Sequence, residues 1–104
     1  MRKPRILWCG ESTFLYTGYA IYGREVLSRL HQTGKYEIAE FSAFGQPDDP
    51  RAATIPWTYY GNMPTTDEEW AIYNSVPTNQ FGVWRFEDVC IDFKPDIVCD
   101  TRDW

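Results

Sequence analysis

The feature that most constrains the fold is a short apolar run followed by a glycine-bracketed loop and an amphipathic segment. Ile6-Leu7-Trp8-Cys9 is apolar without alternation, which is typical of a parallel strand covered on both faces. The loop that follows begins at Gly10 and ends at Gly18. From Tyr19 apolar residues recur every three or four positions until Gly34 supplies a stop, so the pattern predicts a helix. Strand, loop and helix in this order open a parallel α/β sheet.

The rest of the chain continues this alternation of strands and helices. Three further segments are predicted as strands, the second of them at an edge that tolerates Pro56: Tyr36–Phe44, Ile55–Tyr60 and Asp96–Asp100. Two segments between them are predicted as helices, the later one ending at Lys94-Pro95: Thr65–Asn74 and Val83–Phe93. The order predicts an α/β, Rossmann-like domain with a mainly parallel sheet of about four strands, Ile6–Cys9 at its centre and flanking helices. Because the chain stops four residues after the last predicted strand, we expect residues 1–104 to form a single, incomplete domain of this kind.

Composition and charge argue against several classes of function. Fifteen acidic and ten basic side chains give a net charge of −5, which opposes a phosphate backbone, so nucleic acid is not an expected partner. No apolar run approaches the roughly 20 residues that span a membrane, and no signal peptide is recognisable, so a cytoplasmic location is expected. One histidine and three widely spaced cysteines offer no ligand set for a metal, and the cysteines are expected to be buried thiols.

The candidate site lies where ligands bind in such sheets, beyond the carboxyl ends of the strands. We therefore expect the first loop, Gly10–Gly18, to lie near the tail Asp100–Asp103. The loop offers hydroxyls, backbone N–H groups and a helix N-terminus, which suit an anion such as a diphosphate; the alternative is a turn that needs glycine only for its backbone geometry. In the tail, Asp100, Arg102 and Asp103 place two carboxylates and a guanidinium together, and an Arg–Asp pair that pins a loop is the alternative there.

The remaining motifs indicate less about function than the first loop and the tail do. The glycine spacing matches neither a dinucleotide fingerprint nor a P-loop, so no NAD, ATP or other cofactor is expected. His31 is predicted to be a surface residue near the C-terminal end of the first helix. In Phe81–Phe86, core packing accounts for most of the aromatic residues, while Trp84 and Arg85 are candidates to border a sugar or base site.

Taken in order, the motifs resemble the N-terminal domain of two-domain, GT-B-type glycosyltransferases, from about Arg5 to Trp104. The segments that carry the resemblance are Ile6–Gly10, Thr17–Ala20, Tyr22–Leu27, Pro56-Trp57, Phe81–Trp84 and Lys94–Val98.

The resemblance implies a function for the first loop and for the tail. It implies that a nucleotide-sugar and an acceptor meet there, and that a second domain, which this chain lacks, holds the nucleotide-sugar. The positions carried over as substrate-binding are Gly10, Thr17, Gly18 and Tyr19 in the loop, with Asp100, Arg102 and Asp103 as acceptor-side neighbours. No catalytic residue is assigned, and the chain alone is expected to be inactive.

The sequence therefore leaves two alternative functions open. The first is sugar transfer from a nucleotide-sugar to an acceptor by a longer protein of which this chain is the N-terminal part. The second is a small, non-enzymatic module that self-associates, because an aromatic content of 17% exceeds what one small core encloses. A homo-oligomer is expected in either case.

Overall fold

The structure is a computed structural model that describes residues 3–10, 12–14, 17–43, 45–77, 79 and 82–100, without the side chain of Tyr19. Within these residues, four strands form one parallel sheet flanked by three α-helices. The strands are β1 (Arg5–Gly10), β2 (Glu37–Ser42), β3 (Thr58–Gly61) and β4 (Ile97–Asp100). The helices are α1 (Gly18–Gln32), α2 (Asp67–Ser75) and α3 (Val83–Phe93), and a 3-10 helix covers Pro50–Thr54. The expected α/β, Rossmann-like arrangement is confirmed.

Strand β1 lies inside the sheet, as its unbroken apolar run predicted, because the strand order is β3-β2-β1-β4. The expected edge position of β3 is confirmed by the same order. In the parallel register, Gly10 pairs with Ser42, Ser42 pairs with Gly61, and Cys9 pairs with Asp100. Parallel strands end at the same edge of a sheet, so these residues mark its carboxyl edge.

The sheet is covered on both faces by separate apolar clusters. Successive residues of a strand point to opposite faces, so Trp8 and Leu7 enter different clusters. Trp8 packs with Leu27 of α1, and Leu7 packs with residues of α3 that include Val89. Leu7 and Leu27 are fully buried, and burial of each such side chain stabilises the fold by roughly 1.5–3 kcal/mol.

The helix boundaries follow from local chemistry. The Thr17 hydroxyl accepts a hydrogen bond from the Ala20 N–H at 3.2 Å and so caps α1. Beyond its other end, Gly34 has a φ of 68°, a left-handed conformation that glycine adopts without strain. Helix α3 ends at Phe93, its C-cap Lys94 is also left-handed with a φ of 56°, and Pro95 prevents continuation of the helix.

The cysteines differ from expectation in their burial. Cys9 is buried inside the sheet, whereas Cys90 and Cys99 are half-buried. Cys99 lies in the edge strand β4 and Cys90 on α3, and each packs only partly buried against one of the two apolar clusters. The prediction of buried thiols is therefore right only for Cys9.

Candidate functional site

The first loop leaves the carboxyl edge of the sheet from a fixed starting point. Gly10 is buried at the end of β1, and its carbonyl accepts a hydrogen bond from the Ala43 N–H at 2.8 Å. This bond ties the beginning of the loop to the end of β2. The loop therefore starts from a defined position next to Ser42.

The far end of the first loop is open. Thr17 and Gly18 are exposed, and a Cβ added to Gly18 would meet no atom within 4 Å. The first intrahelical backbone bond is made by the Ile21 N–H to the Thr17 carbonyl at 2.9 Å. The N–H groups of Gly18 and Tyr19 precede that bond, so no carbonyl of α1 accepts from them.

Asp100 lies at the same edge of the sheet as the first loop. It is exposed at the end of β4 and pairs in register with Cys9, the residue before Gly10. The structure thus brings Gly10 and Asp100 to one edge, as the sequence predicted. Arg102 and Asp103 lie outside the described residues, as does the side chain of Tyr19, so their placement stays a prediction.

A buried carboxylate beneath the loop was not anticipated from the sequence. Glu40, in the middle of β2, is only 1% exposed and accepts three hydrogen bonds. The Thr13 N–H donates to Oε2 at 3.0 Å, and the Thr13 hydroxyl and the Trp57 indole N–H donate to Oε1 at 2.6 and 2.8 Å. We call these three residues the Glu40 cluster. It fixes the first half of the loop to the sheet below it.

The environment of Glu40 acts on its ionisation in two directions. Burial raises the pKa of the carboxyl above its ordinary value of 4.5, and this is the largest effect. The three donors from Thr13 and Trp57 lower the pKa, because each hydrogen bond stabilises the carboxylate. The net pKa is raised, so the ionised form is held at a cost to the stability of the fold.

A second group of polar contacts attaches the loop to the end of β2 and to β3. The hydroxyls of Ser12 and Ser42 are hydrogen-bonded to each other, which joins the loop to the end of β2. The Tyr59 hydroxyl of β3 donates to the Gln46 carbonyl at 2.9 Å. Burial raises the pKa of Tyr59, and hydrogen bonds with Ser12 and Ser42 partly oppose the rise. Ser12 and Thr13 are therefore hydrogen-bonded to β2, and Ser12 also to Tyr59 of β3.

Beyond β3, two buried asparagines order the connection to α2 and α3. The Asn62 side-chain amide donates to the carbonyls of Ala43 and Asn79, both at 2.9 Å. The Asn79 amide in turn donates to the Ile72 carbonyl at 2.9 Å. These bonds hold the end of α2 and the start of the next segment against the carboxyl edge of the sheet.

Arg85 and Trp84, the candidates for the border of a sugar or base site, contact each other. The Arg85 guanidinium lies 4.3 Å from the centre of the Trp84 ring and donates to the Glu69 carboxylate at 2.9 Å. Hydrogen bonds from Thr65 lower the pKa of Glu69 most, and the contact with Arg85 lowers it further. The ion pair is part-buried, so Arg85 is held in one orientation at the start of α3.

Sequence reasoning missed Glu40 and Thr13, since an acidic residue in an alternating strand predicts a solvent-facing position. The one available signal was Trp57, an indole that needs a partner when buried. His31 is exposed as predicted, and its ring lies 6.0 Å from that of Trp57, remote from the carboxyl edge.

Among the residues that the structure describes, no group of three or more His, Cys, Asp or Glu side chains is arranged to hold a metal ion. No helix in the same part of the chain has the length and apolar character needed to cross a membrane.

No family model, no curated protein and no solved structure matches the chain.

Proposed function

We propose that this chain is the N-terminal, acceptor-side part of a GT-B-like glycosyltransferase, which transfers a sugar from a nucleotide-sugar to an acceptor. One observation supports this most. The first loop is attached from beneath by the Glu40 cluster, while the first turn of α1 above it is unobstructed at Gly18.

That arrangement suits the leaving group of sugar transfer. As the bond between the sugar and the diphosphate breaks, negative charge develops on the diphosphate. The N–H groups of Gly18 and Tyr19 and the positive end of the α1 dipole would stabilise this charge. The first half of the loop is already fixed by Thr13 and Glu40, and donors that need no reorganisation are the condition for effective electrostatic stabilisation.

The acceptor would approach from the neighbouring strand. Asp100 lies at the carboxyl edge beside Gly10, and Arg102 and Asp103 follow it in the sequence. In the reaction the acceptor oxygen forms a bond to the sugar carbon and loses its proton, while the nucleoside diphosphate leaves. The tail supplies the acceptor side of this site, and the nucleotide itself would be held by a second domain.

The test is an assay of the complete gene product with a panel of uridine, guanosine and adenosine diphosphate sugars. Release of a nucleoside diphosphate that depends on an added acceptor is expected from the complete protein, and none from residues 1–104 alone. A complete protein that carries no second Rossmann-like domain and releases no nucleoside diphosphate from any donor would contradict the proposal.

A second candidate function, self-association, is favoured by the exposure of β4. This strand forms an edge of the sheet, and on its outer side it pairs with no residue that the structure describes. Its Ile97 and Val98 are 50% and 43% exposed, and Ile91 of the adjacent α3 is 62% exposed. An open edge with apolar residues is a template for a second copy of the same strand, related by a two-fold axis.

We expect the Val98→Lys substitution to abolish such a dimer, because a lysine on an edge strand opposes edge-to-edge pairing. Val83→Lys is the matched control, since Val83 is 48% exposed but lies at the start of α3, away from the edge. Light scattering over a range of concentrations measures the mass. A monomer for the unsubstituted chain at the highest concentration, or equal effects of the two substitutions, would exclude this mode of association.

A further inference from the structure

A cavity of about 270 Å³ opens between the carboxyl end of β3 and helix α3. It is bordered by α3, which packs on the face of the sheet opposite to α1, and by Tyr59, whose ring also contacts Phe14 of the first loop. Its lining includes Pro47, Tyr60, Gly61, Arg85, Asp88 and Val89. The volume lies just below the roughly 300 Å³ at which pockets for drug-sized ligands begin, so it suits a molecule with a single ring.

Two charged side chains of α3 give the cavity one acceptor and one donor. Asp88 is exposed and makes no hydrogen bond or ion pair with any residue that the structure describes. Arg85 uses its Nη2 for the Glu69 carboxylate and the Met63 carbonyl, and its Nη1 donates to no residue that the structure describes. The carboxylate of Asp88 and the guanidinium of Arg85 thus border the same space, three residues apart on one helix face.

The charges at the cavity disfavour an anion, and the pairing of one acceptor with one donor favours a neutral ligand over a cation. An anion such as phosphate would face Asp88, which pairs with no described residue, and the charge of Arg85 is already offset by Glu69 at 2.9 Å. A cation would pair with Asp88 but could not accept a hydrogen bond from Arg85. A neutral molecule that both donates and accepts hydrogen bonds satisfies Asp88 and Arg85 together, without leaving either charge against a like charge.

The remaining walls favour a ligand with an apolar face. Pro47 and Val89 are apolar, and the Tyr60 hydroxyl already donates to Asp92, so Tyr60 contributes ring surface. Burial of Tyr60 and the bond to Asp92 both raise the pKa of the phenol, so it stays neutral. A pyranose ring combines hydroxyls at its rim with a C–H face that stacks on aromatic rings, which matches this combination of walls.

We propose that this cavity binds the ring of a neutral monosaccharide, with Asp88 accepting from one hydroxyl and Arg85 donating to another. Tyr60 lies against the C–H face of the ring. The proposal does not depend on sugar transfer by a longer protein, since the cavity is formed within this chain and would serve an enzyme or a self-associating module alike.

The test is a titration of the 104-residue chain, followed by amide chemical shifts, with the methyl glycosides of glucose and galactose. At least one glycoside should bind with millimolar affinity and shift the amides of Gly61, Asp88 and Val89. Asp88→Asn should weaken that binding about tenfold, because a charge-assisted hydrogen bond is replaced by a neutral one. Glu87→Gln is the matched control, since it removes the same charge from the adjacent exposed position, and it should leave binding unchanged.

Several outcomes would overturn the proposal. One is the absence of amide shifts with every glycoside at tens of millimolar. Another is that inorganic phosphate or adenosine shifts the same amides at lower concentration than any glycoside. Equal weakening by Asp88→Asn and Glu87→Gln would show that net charge, and not the Asp88 carboxylate, determines binding. Because Asp88 has no partner among the described residues, both variants should keep the circular dichroism spectrum of the original chain.

Discussion

Replacing Glu40 with alanine is expected to lower the free energy of unfolding by about 3–5 kcal/mol. The substitution leaves the Thr13 N–H, the Thr13 hydroxyl and the Trp57 indole N–H without their acceptor in a buried site. A buried donor left unsatisfied costs about 1–3 kcal/mol, and the carboxylate that filled the space is lost as well. Since small domains are stable by only about 5–15 kcal/mol, urea denaturation should show a much lower midpoint.

Glu37→Ala in the same strand is the control for this loss. Glu37 pairs with the Arg5 guanidinium at 2.9 Å, but its side chain is half-exposed, so the pair contributes no more than about 1 kcal/mol. A loss for Glu40→Ala as small as that for Glu37→Ala would mean that Glu40 does not hold the first loop in place.

The Glu40→Gln variant isolates the ionisation of this residue. Because the pKa of Glu40 is raised in the folded state, its contribution to stability is fully present below the unfolded value of about 4.5 and is lost as the pH rises through the folded pKa. Glutamine does not titrate. The free energy of unfolding of Glu40→Gln, relative to that of the original chain, should therefore increase as the pH rises from about 4.5 through the folded pKa of Glu40. Denaturation at a series of pH values measures the difference, and a difference that is constant or of opposite slope would contradict the raised pKa.

Replacing Gly61 with alanine is expected to destabilise the chain by about 3 kcal/mol. A Cβ at this position would lie 2.5 Å from the Pro47 nitrogen and 2.6 Å from the Gln46 carbonyl carbon. Both are backbone atoms, which cannot move aside as the end of a flexible side chain can. The segment after β2 would therefore have to shift away from the end of β3, and thermal unfolding should occur at a lower temperature.

Gly18→Ala provides the matched comparison at the same edge of the sheet. A Cβ there meets no atom within 4 Å, and alanine favours a helix more than glycine does, so the stability should be unchanged or slightly higher. If Gly61→Ala proved as harmless as Gly18→Ala, the close approach between β3 and Pro47 would not exist in solution.

The parallel fold was predictable because its signals are local. The apolar run Ile6–Cys9, the helical periodicity after Gly18 and the stop at Lys94-Pro95 each depend on neighbouring residues, and alternation of strands and helices then restricts the topology. The edge position of β3 was predicted from Pro56, although the strand begins at Thr58 and Pro56 lies before it.

The interior of the site was not predictable, because its contacts join distant positions. Glu40 is separated from Thr13 by 27 residues and from Trp57 by 17, and nothing local to β2 indicates that these partners are present. Burial of the carboxylate depends on all three residues meeting. The cavity beside Asp88 likewise requires β3 and α3 to pack together, which periodicity alone does not specify.

The most direct test of the proposed sugar transfer is the turnover of the complete gene product with Gly18→Trp, measured as release of nucleoside diphosphate. Gly18 faces open space, so tryptophan should leave the fold intact while covering the N–H groups at the start of α1. We predict a loss of about a hundredfold or more for Gly18→Trp, comparable to removing a donor that stabilises developing charge, and near-normal turnover for Gly18→Ala. A folded Gly18→Trp protein with full turnover would contradict the assignment of the first loop to the leaving diphosphate.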